Sequence, residues 1–165
     1  MNELEALVVL NQIPDLGPIR IKKLVDFFGS ARRALEASRS ELEAIEGIGP
    51  AVALKIVKHR EEFDPQREIR LSLENGVRLV TYRDEDYPEM LKMLPDAPML
   101  IYVKGSLKPR DSLSISIVGT RRPTSYGKLV TERLIKELSD YGLTTVSGLA
   151  RGIDALVHEF SLKHG

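Results

Sequence analysis

The sequence lacks several features that would indicate particular classes of protein. It has no cysteine, which excludes disulfide bonds and thiolate metal sites. Basic and acidic side chains number 24 each, so no overall basic field draws the chain onto nucleic acid, and any anion binding has to be local. No apolar run approaches the roughly 18 residues that a membrane span needs. The N-terminus is acidic where a signal peptide would be basic, so we expect a cytoplasmic protein without a membrane partner.

The 165 residues leave room for one domain or two small ones, and the sequence pattern changes along the chain. Up to about residue 62, apolar residues recur at spacings of three and four, which predicts helices alone. From residue 77 onward the pattern predicts strand, helix, strand, strand, helix, strand and helix. Strands that alternate with helices indicate a parallel sheet. We therefore expect an α/β protein with a helical domain at 1–62 and a sheet domain at 63–165.

Local signals mark single elements within this order. Ser40 and Glu43 fit a capping box, so a short helix should start at Ser40. Asp64 and Pro65 should open another helix, which Asn75 should end.

Two apolar patterns predict buried surfaces in the sheet domain. Residues 99–103 are all apolar, which indicates a strand buried on both faces. A helical stripe is formed by Val130, Leu134, Leu138 and Tyr141. Only two regular strand–helix units are present, whereas such sheets usually carry five or six strands, so we expect the sequence to be part of a longer domain.

The helical region contains an internal repeat. Residues 13–18 read Ile-Pro-Asp-Leu-Gly-Pro, and residues 45–50 read Ile-Glu-Gly-Ile-Gly-Pro. The pattern resembles the helix-hairpin-helix motif, which implies that each glycine turn presents backbone N–H groups to a DNA phosphate. The second copy matches well, so Gly47, Gly49 and Lys55 are candidates for a secondary DNA contact. The first copy has Asp15 where the motif has glycine, and a role in docking a partner protein stays open for both copies.

Two loops in the sheet domain carry the pattern of an anion site. Residues 115–122 read Ile-Ser-Ile-Val-Gly-Thr-Arg-Arg, and residues 147–154 read Ser-Gly-Leu-Ala-Arg-Gly-Ile-Asp. In each, an apolar strand leads through a glycine turn into a helix, whose positive end should face the ligand. Loops that follow consecutive strands of a parallel sheet should lie side by side. Arginines suit separate phosphates, and Thr120 and Ser147 are best interpreted as phosphate hydrogen-bond donors.

Residues in and beside these loops also allow interpretations other than phosphate binding. Asp154 and His158 could be an acid–base pair or metal ligands, but a capping aspartate hydrogen-bonded to the histidine is favoured, because no third ligand or nucleophile has suitable spacing. Tyr126 could stack on a base or cap the helix entry. The first loop does not follow the dinucleotide pattern Gly-x-Gly-x-x-Gly, because Arg121 stands at the second glycine.

These two motifs resemble the bacterial DNA-processing protein A family, also called DprA or Smf. The segments concerned are Val118–Arg122 with Thr124, Tyr126 and Gly127, then Ser147–Asp154 with His158, and upstream Asp86–Pro88, Leu91, Pro98 and Tyr102–Gly105. Val157 before His158 is a mild departure, since family members often have alanine there. The resemblance covers essentially the whole chain, and it implies an extended Rossmann-like fold preceded by a helical module.

The resemblance also implies a function. Members of the family bind single-stranded DNA during natural transformation, protect the incoming strand, act as dimers and help to load the RecA recombinase. No catalysis, cofactor or metal is implied. By motif, the strand-binding residues would be Gly119, Thr120, Arg121, Arg122, Ser147, Gly148 and Arg151.

Two further hypotheses stay open. One is a nucleotide sensor or a nucleotide-processing enzyme on a related Rossmann-like fold, which would need an acidic residue at the sugar, for which Asp154 is the candidate. The other is an adaptor whose hairpins dock a partner.

Overall fold

A computed structural model describes residues 1–165, apart from the side chain of residue 110. Contacts divide the chain into two compact units, Met1–Ser106 and Leu107–Gly165. The first unit contains helices α1 (Glu3–Gln12), α2 (Pro18–Phe28), α3 (Ala31–Glu36), α4 (Arg39–Glu43), α5 (Pro50–Glu62), α6 (Pro65–Glu74) and α7 (Glu89–Lys92), with strands β1 (Val77–Thr81) and β2 (Leu100–Lys104). The second unit contains a 3₁₀ turn (Pro109–Ser112), strands β3 (Ser114–Ser116) and β4 (Thr144–Val146), and helices α8 (Ser125–Asp140) and α9 (Ile153–His164).

The core of the first unit is built around α1. Five consecutive residues of this helix, 6–10, are buried, so neighbouring elements cover it on several sides rather than on one stripe. Side chains of α2, α3 and α5 complete the same apolar cluster.

Helix ends in the first unit follow local capping chemistry. Asp64 accepts a hydrogen bond from the Gln66 N–H and Pro65 occupies the first turn of α6, as predicted. The capping box of α4 is formed by Ser38 and Glu41, so the prediction that this helix starts at Ser40 was wrong. Both serines have a glutamate three residues later, and the structure uses the earlier pair.

The first two strands differ from the sequence prediction in direction and burial. β1 and β2 pair antiparallel, with Val77 opposite Lys104 and Thr81 opposite Leu100, where a parallel sheet was expected. Only Leu100 is fully buried, Ile101 and Val103 are half-buried, and Tyr102 is exposed, so β2 is not the strand buried on both faces that was predicted. Residues 82–99, which include α7, connect the strands, and this length allows either strand direction.

The second unit has the predicted parallel arrangement. β3 and β4 pair in parallel, with Ser114 opposite Thr144 and Ser116 opposite Val146. α8 connects them and α9 follows, so the predicted order of elements is confirmed. The buried residues of α8 are Thr131 and Ile135, whereas Val130 and Leu134 are exposed, so the predicted stripe lies one position away from the buried face.

The chain is therefore an α/β protein in which a helical N-terminal region precedes a small parallel sheet, and its fold is similar to the extended Rossmann-like fold predicted. The segment 63–106 shares its contacts with the helices of the first unit. The domain boundary at 62/63 rests on sequence pattern and stays a prediction.

Candidate nucleic-acid interface

The two predicted loops lie side by side at the carboxyl ends of β3 and β4. We call residues 117–124 loop 1 and residues 147–152 loop 2. The Ile117 N–H donates to the Val146 carbonyl at 2.9 Å, and the Ser147 hydroxyl donates to the Ile117 carbonyl at 2.7 Å. These bonds continue the parallel pairing past the strand ends, as expected for consecutive strands of a parallel sheet.

Loop 1 also lies against the start of α9. The Ile153 N–H donates to the Thr120 carbonyl at 3.1 Å. A Cβ added at Gly152 would stand 2.2 Å from the Thr120 oxygen and 2.7 Å from two backbone atoms of Arg121. A Cβ at Gly119 would meet the side chain of Ile153 at 2.7 Å. Glycines at 119 and 152 thus allow the two backbones to approach, and the loops form one structural element.

The positive ends of the two helices are partly used by the protein. At α8 the Thr124 side chain accepts from the Gly127 N–H at 3.1 Å. At α9 the first N–H is donated to Thr120, and Asp154 places a carboxylate in the first turn. The expectation that the helix ends supply an anion site stays a prediction. Exposed side chains add positive charge at this edge.

Those side chains are three arginines. Arg121, Arg122 and Arg151 are exposed, and none forms an ion pair with another residue that the structure describes. Loop 1 is further shaped by a bond from the Arg122 N–H to the Thr120 hydroxyl oxygen at 3.2 Å. Three uncompensated guanidinium groups on two adjoining loops are suited to an anionic ligand with more than one charge.

The other predicted phosphate contacts divide into two groups. The Gly119 N–H is donated to Asp154 Oδ1 at 3.4 Å, and the Ser147 hydroxyl hydrogen is donated to Ile117, so neither donates to a ligand in this arrangement. The Gly148 N–H has no partner among the described residues, and the Thr120 hydroxyl keeps its hydrogen. Gly148 and Thr120 thus remain available as donors.

Asp154 has a role that the sequence did not indicate. Its side chain is only 7% exposed, accepts from Gly119 in loop 1, and lies where a Cβ at Gly148 in loop 2 would come within 2.8 Å of Oδ2. No hydrogen bond joins it to His158, whose Nε2 is buried without a partner, so the predicted aspartate–histidine bond is wrong. The buried carboxylate holds the loops and is not presented as an acid or base.

The hairpin turns of the first unit share one geometry. Asp15 and Gly47 both have a left-handed backbone, with φ of 68° and 88°. Gly17 and Gly49 are the N-caps of α2 and α5, with almost equal angles, and a proline follows each. The internal repeat is therefore real at the level of the backbone, including the aspartate that departs from the motif.

The lysine of each copy contacts the turn of the other copy. The Lys55 ammonium, on the second copy, forms an ion pair with Asp15 in the first turn. Lys23, the matching residue of the first copy, donates to the Glu46 carbonyl at 3.2 Å and lies 3.5 Å from its carboxylate. The Lys55 ammonium lowers the pKa of Asp15 below its ordinary value. Lys55, a predicted DNA contact, thus already has an anionic partner.

No helix in the described part of the chain is long and apolar enough to cross a membrane.

Comparisons with known proteins agree with the fold and the loops. A protein named Smf from Synechocystis is 33% identical over 157 residues, which cover 93% of this chain and 39% of that protein. The DNA processing protein DprA of Bacillus subtilis is 39% identical over 116 residues, covering 68% of this chain and 38% of its own. The chain thus spans about two fifths of the length of these curated relatives.

A solved structure extends the comparison to three dimensions. The DNA processing protein A of Streptococcus pneumoniae matches all of this chain and 55% of its own, with a TM-score of 0.69 and 25% identity. The sequence model of the family described as DNA recombination-mediator protein A matches residues 78–165, more than half of the chain, including both loops. The chain belongs to the DNA recombination-mediator protein A family.

Proposed function

We propose that this chain binds single-stranded DNA through loops 1 and 2, with Arg121, Arg122 and Arg151 holding backbone phosphates. The observation that carries the proposal is the set of three exposed arginines without ion-pair partners among the described residues, in a chain whose formal net charge is zero. Eleven other basic side chains form ion pairs with carboxylates, whereas, within the part of the chain that the structure describes, these three lie without one on two adjoining loops. The Gly148 N–H and the Thr120 hydroxyl add neutral donors to the same ligand.

A polymer of phosphates suits this site better than a single nucleotide. Arg121 and Arg122 belong to loop 1, and Arg151 belongs to loop 2, which contacts loop 1 at Gly152. The three guanidinium groups can therefore bind several separate phosphates. Asp154, the acid that a nucleotide-processing enzyme would need, is buried and bonded to Gly119. These observations favour a strand binder over a sensor or enzyme.

On the family membership we further propose the wider role of the full-length protein. It would protect incoming single strands during natural transformation in competent cells, act as a cytoplasmic dimer, and help to load the RecA recombinase. Membership of a family described as recombination mediators supports this role. The secondary contact by Gly47, Gly49 and Lys55 is proposed to be weak, because Lys55 is already paired with Asp15.

The test is a fluorescence-anisotropy titration with labelled single-stranded and duplex DNA of equal length. We expect wild type to prefer the single strand and Arg121→Ala/Arg122→Ala to lose most of this affinity. Arg133→Ala is the matched control, because Arg133 is exposed in the same unit but paired with Glu137. Equal affinity of the double variant and wild type would contradict the proposal, and tight binding of a mononucleotide instead of DNA would favour the sensor.

A further inference from the structure

Leu149, in the middle of loop 2, has a backbone conformation that is unusual for its side chain. Its φ is 53°, in the left-handed region. Apart from six glycines, the only other described residue with a positive φ is Asp15. Aspartate tolerates this region and stands at the position that Gly47 occupies in the repeat. Leucine does not share that tolerance, because its Cβ crowds the following carbonyl.

The path of loop 2 explains why position 149 is left-handed. Ser147 is fixed to Ile117, and Gly152 is fixed against Thr120, so the chain between them has little freedom. Glycine would meet this requirement without cost. A leucine is present instead, and its side chain contributes little to the core of the unit, because it is 76% exposed. The unfavourable residue at a constrained position indicates that the side chain has a use.

The surroundings of Leu149 indicate what that use is. Two residues away is Arg151, and loop 1 brings Arg121 and Arg122 to the same edge. Val118, beside Gly119, is 75% exposed, and Tyr126 in the first turn of α8 is 77% exposed. Exposed apolar side chains thus accompany unpaired guanidinium groups. A ligand that contacts both kinds of side chain would carry negative charge and apolar faces.

We propose that Leu149 is a specificity-determining residue, which packs against the face of an unpaired nucleobase while the arginines hold the adjoining phosphates of single-stranded DNA. This inference rests on the proposed function. Base faces are stacked and covered in a duplex and are accessible in a single strand, so an apolar contact at Leu149 favours the single strand. Every base has such a face, so the contact does not select sequence.

The experiment compares DNA with and without bases. Wild type, Leu149→Ala and Leu149→Gly are titrated with a labelled single strand and with an abasic strand of the same length. Leu149→Gly removes the side chain and relieves the left-handed backbone. The control is Leu162→Ala, because Leu162 is 89% exposed on α9 of the same unit. Urea unfolding of each variant establishes that it is folded at the assay temperature.

We expect both Leu149 variants to bind the base-containing strand roughly tenfold more weakly than wild type, as for loss of one base contact. All three proteins should bind the abasic strand alike. The inference is overturned if the Leu149 variants bind base-containing DNA as wild type does, or if they lose equal affinity for both strands. A change in sedimentation coefficient at Leu149→Ala would overturn it too, because the side chain would then lie between copies.

The proposed function can fail separately. If Arg121→Ala/Arg122→Ala weakens binding to both strands while Leu149→Ala does not distinguish them, the arginines bind phosphate and the leucine has no base contact. If the arginine variant binds both strands as wild type does, the proposed site itself is wrong.

Discussion

Two regions of this molecule use the same local device, a glycine turn that leads into a helix, and they treat their cations in opposite ways. In the first unit Lys23 and Lys55 are tied to Glu46 and Asp15, each lysine reaching the turn of the other copy. In the second unit the arginines of loops 1 and 2 have no ion-pair partner among the described residues. A glycine turn with nearby basic residues therefore does not by itself leave its cations unpaired and available to an anion.

The two regions also differ in how the backbone is held. The hairpin turns lie over a continuous apolar core, to which Leu16 and Ile48 contribute. The loops of the second unit are held by close backbone approach at Gly152 and by the Asp154 carboxylate. The hairpins should therefore tolerate changes at their polar groups, whereas the loops should not.

The largest effect is expected for Gly152→Ala. Its Cβ would overlap the Thr120 oxygen at 2.2 Å and two backbone atoms of Arg121 at 2.7 Å, and φ is 92°. Since no flexible side chain can move away, we expect a loss of about 3 kcal/mol or more in the stability of the second unit, together with loss of DNA binding. Urea unfolding measures the loss of stability, and fluorescence anisotropy measures the loss of DNA binding.

Gly142→Ala is the matched control for that change. Gly142 also has a positive φ, 71°, but a Cβ there would meet nothing within 4 Å. It should cost only the backbone term of about 1 kcal/mol and leave DNA affinity unchanged. Equal effects of the two substitutions would show that the contact between loop 1 and Gly152 is unimportant.

A smaller effect is expected for Asp154→Ala, which removes the acceptor of the Gly119 N–H. We expect a loss of about 1–3 kcal/mol, because a partly buried donor is left without a partner. Asp154→Asn keeps an acceptor oxygen and should recover part of the loss. Urea unfolding separates the variants, and an Asp154→Ala protein as stable as wild type would contradict this structural role.

The sequence was informative wherever structure is determined locally. The cap at Asp64, the turns at Gly17 and Gly49, and the order of elements after residue 77 all depend on neighbouring residues, and they were predicted. The direction of β1 relative to β2 was not predicted correctly, because their antiparallel pairing depends on contacts between residues distant in sequence. Ser38 and Ser40 could not be separated, because both fit the capping-box pattern.

The candidate site shows the same division. Its arginines and glycines can be recognised in the sequence, and the adjacency of the loops follows from parallel strands. The use of the Gly119 N–H by Asp154 and of the Ser147 hydroxyl by Ile117 depends on tertiary contacts. Sequence pattern therefore identified the candidate loops but could not show which of their donors remain free.

The next smaller effect concerns the hairpins. Lys55→Ala removes an exposed ion pair, and exposed pairs contribute little to stability. We expect almost no change in urea unfolding and little change in DNA affinity, because this lysine already has a partner. A large loss of DNA affinity would make the hairpins the main binding surface and reverse the comparison.

The smallest effect is a pH dependence. Lys55 holds the pKa of Asp15 below its ordinary value of 3.8, so the ion pair stabilises the fold at neutral pH. This contribution disappears as the pH falls below that value and the carboxylate is protonated. The small stability difference between wild type and Lys55→Ala should therefore shrink below about pH 4. Urea unfolding of both proteins at neutral and acidic pH checks this prediction. A stability difference between them that grows on acidification would contradict the pairing of Lys55 with Asp15.

The most direct test compares the two sets of cations by the salt dependence of single-strand affinity. Wild type, Arg121→Ala/Arg122→Ala and Lys23→Ala/Lys55→Ala are titrated over a range of salt concentrations. We expect the arginine variant to bind weakly, with a slope of log affinity against log salt shallower by about 1.4, since each phosphate contact on a single strand contributes about 0.7. The lysine variant should match wild type in slope. A slope that changes in the lysine variant and not in the arginine variant would contradict the account.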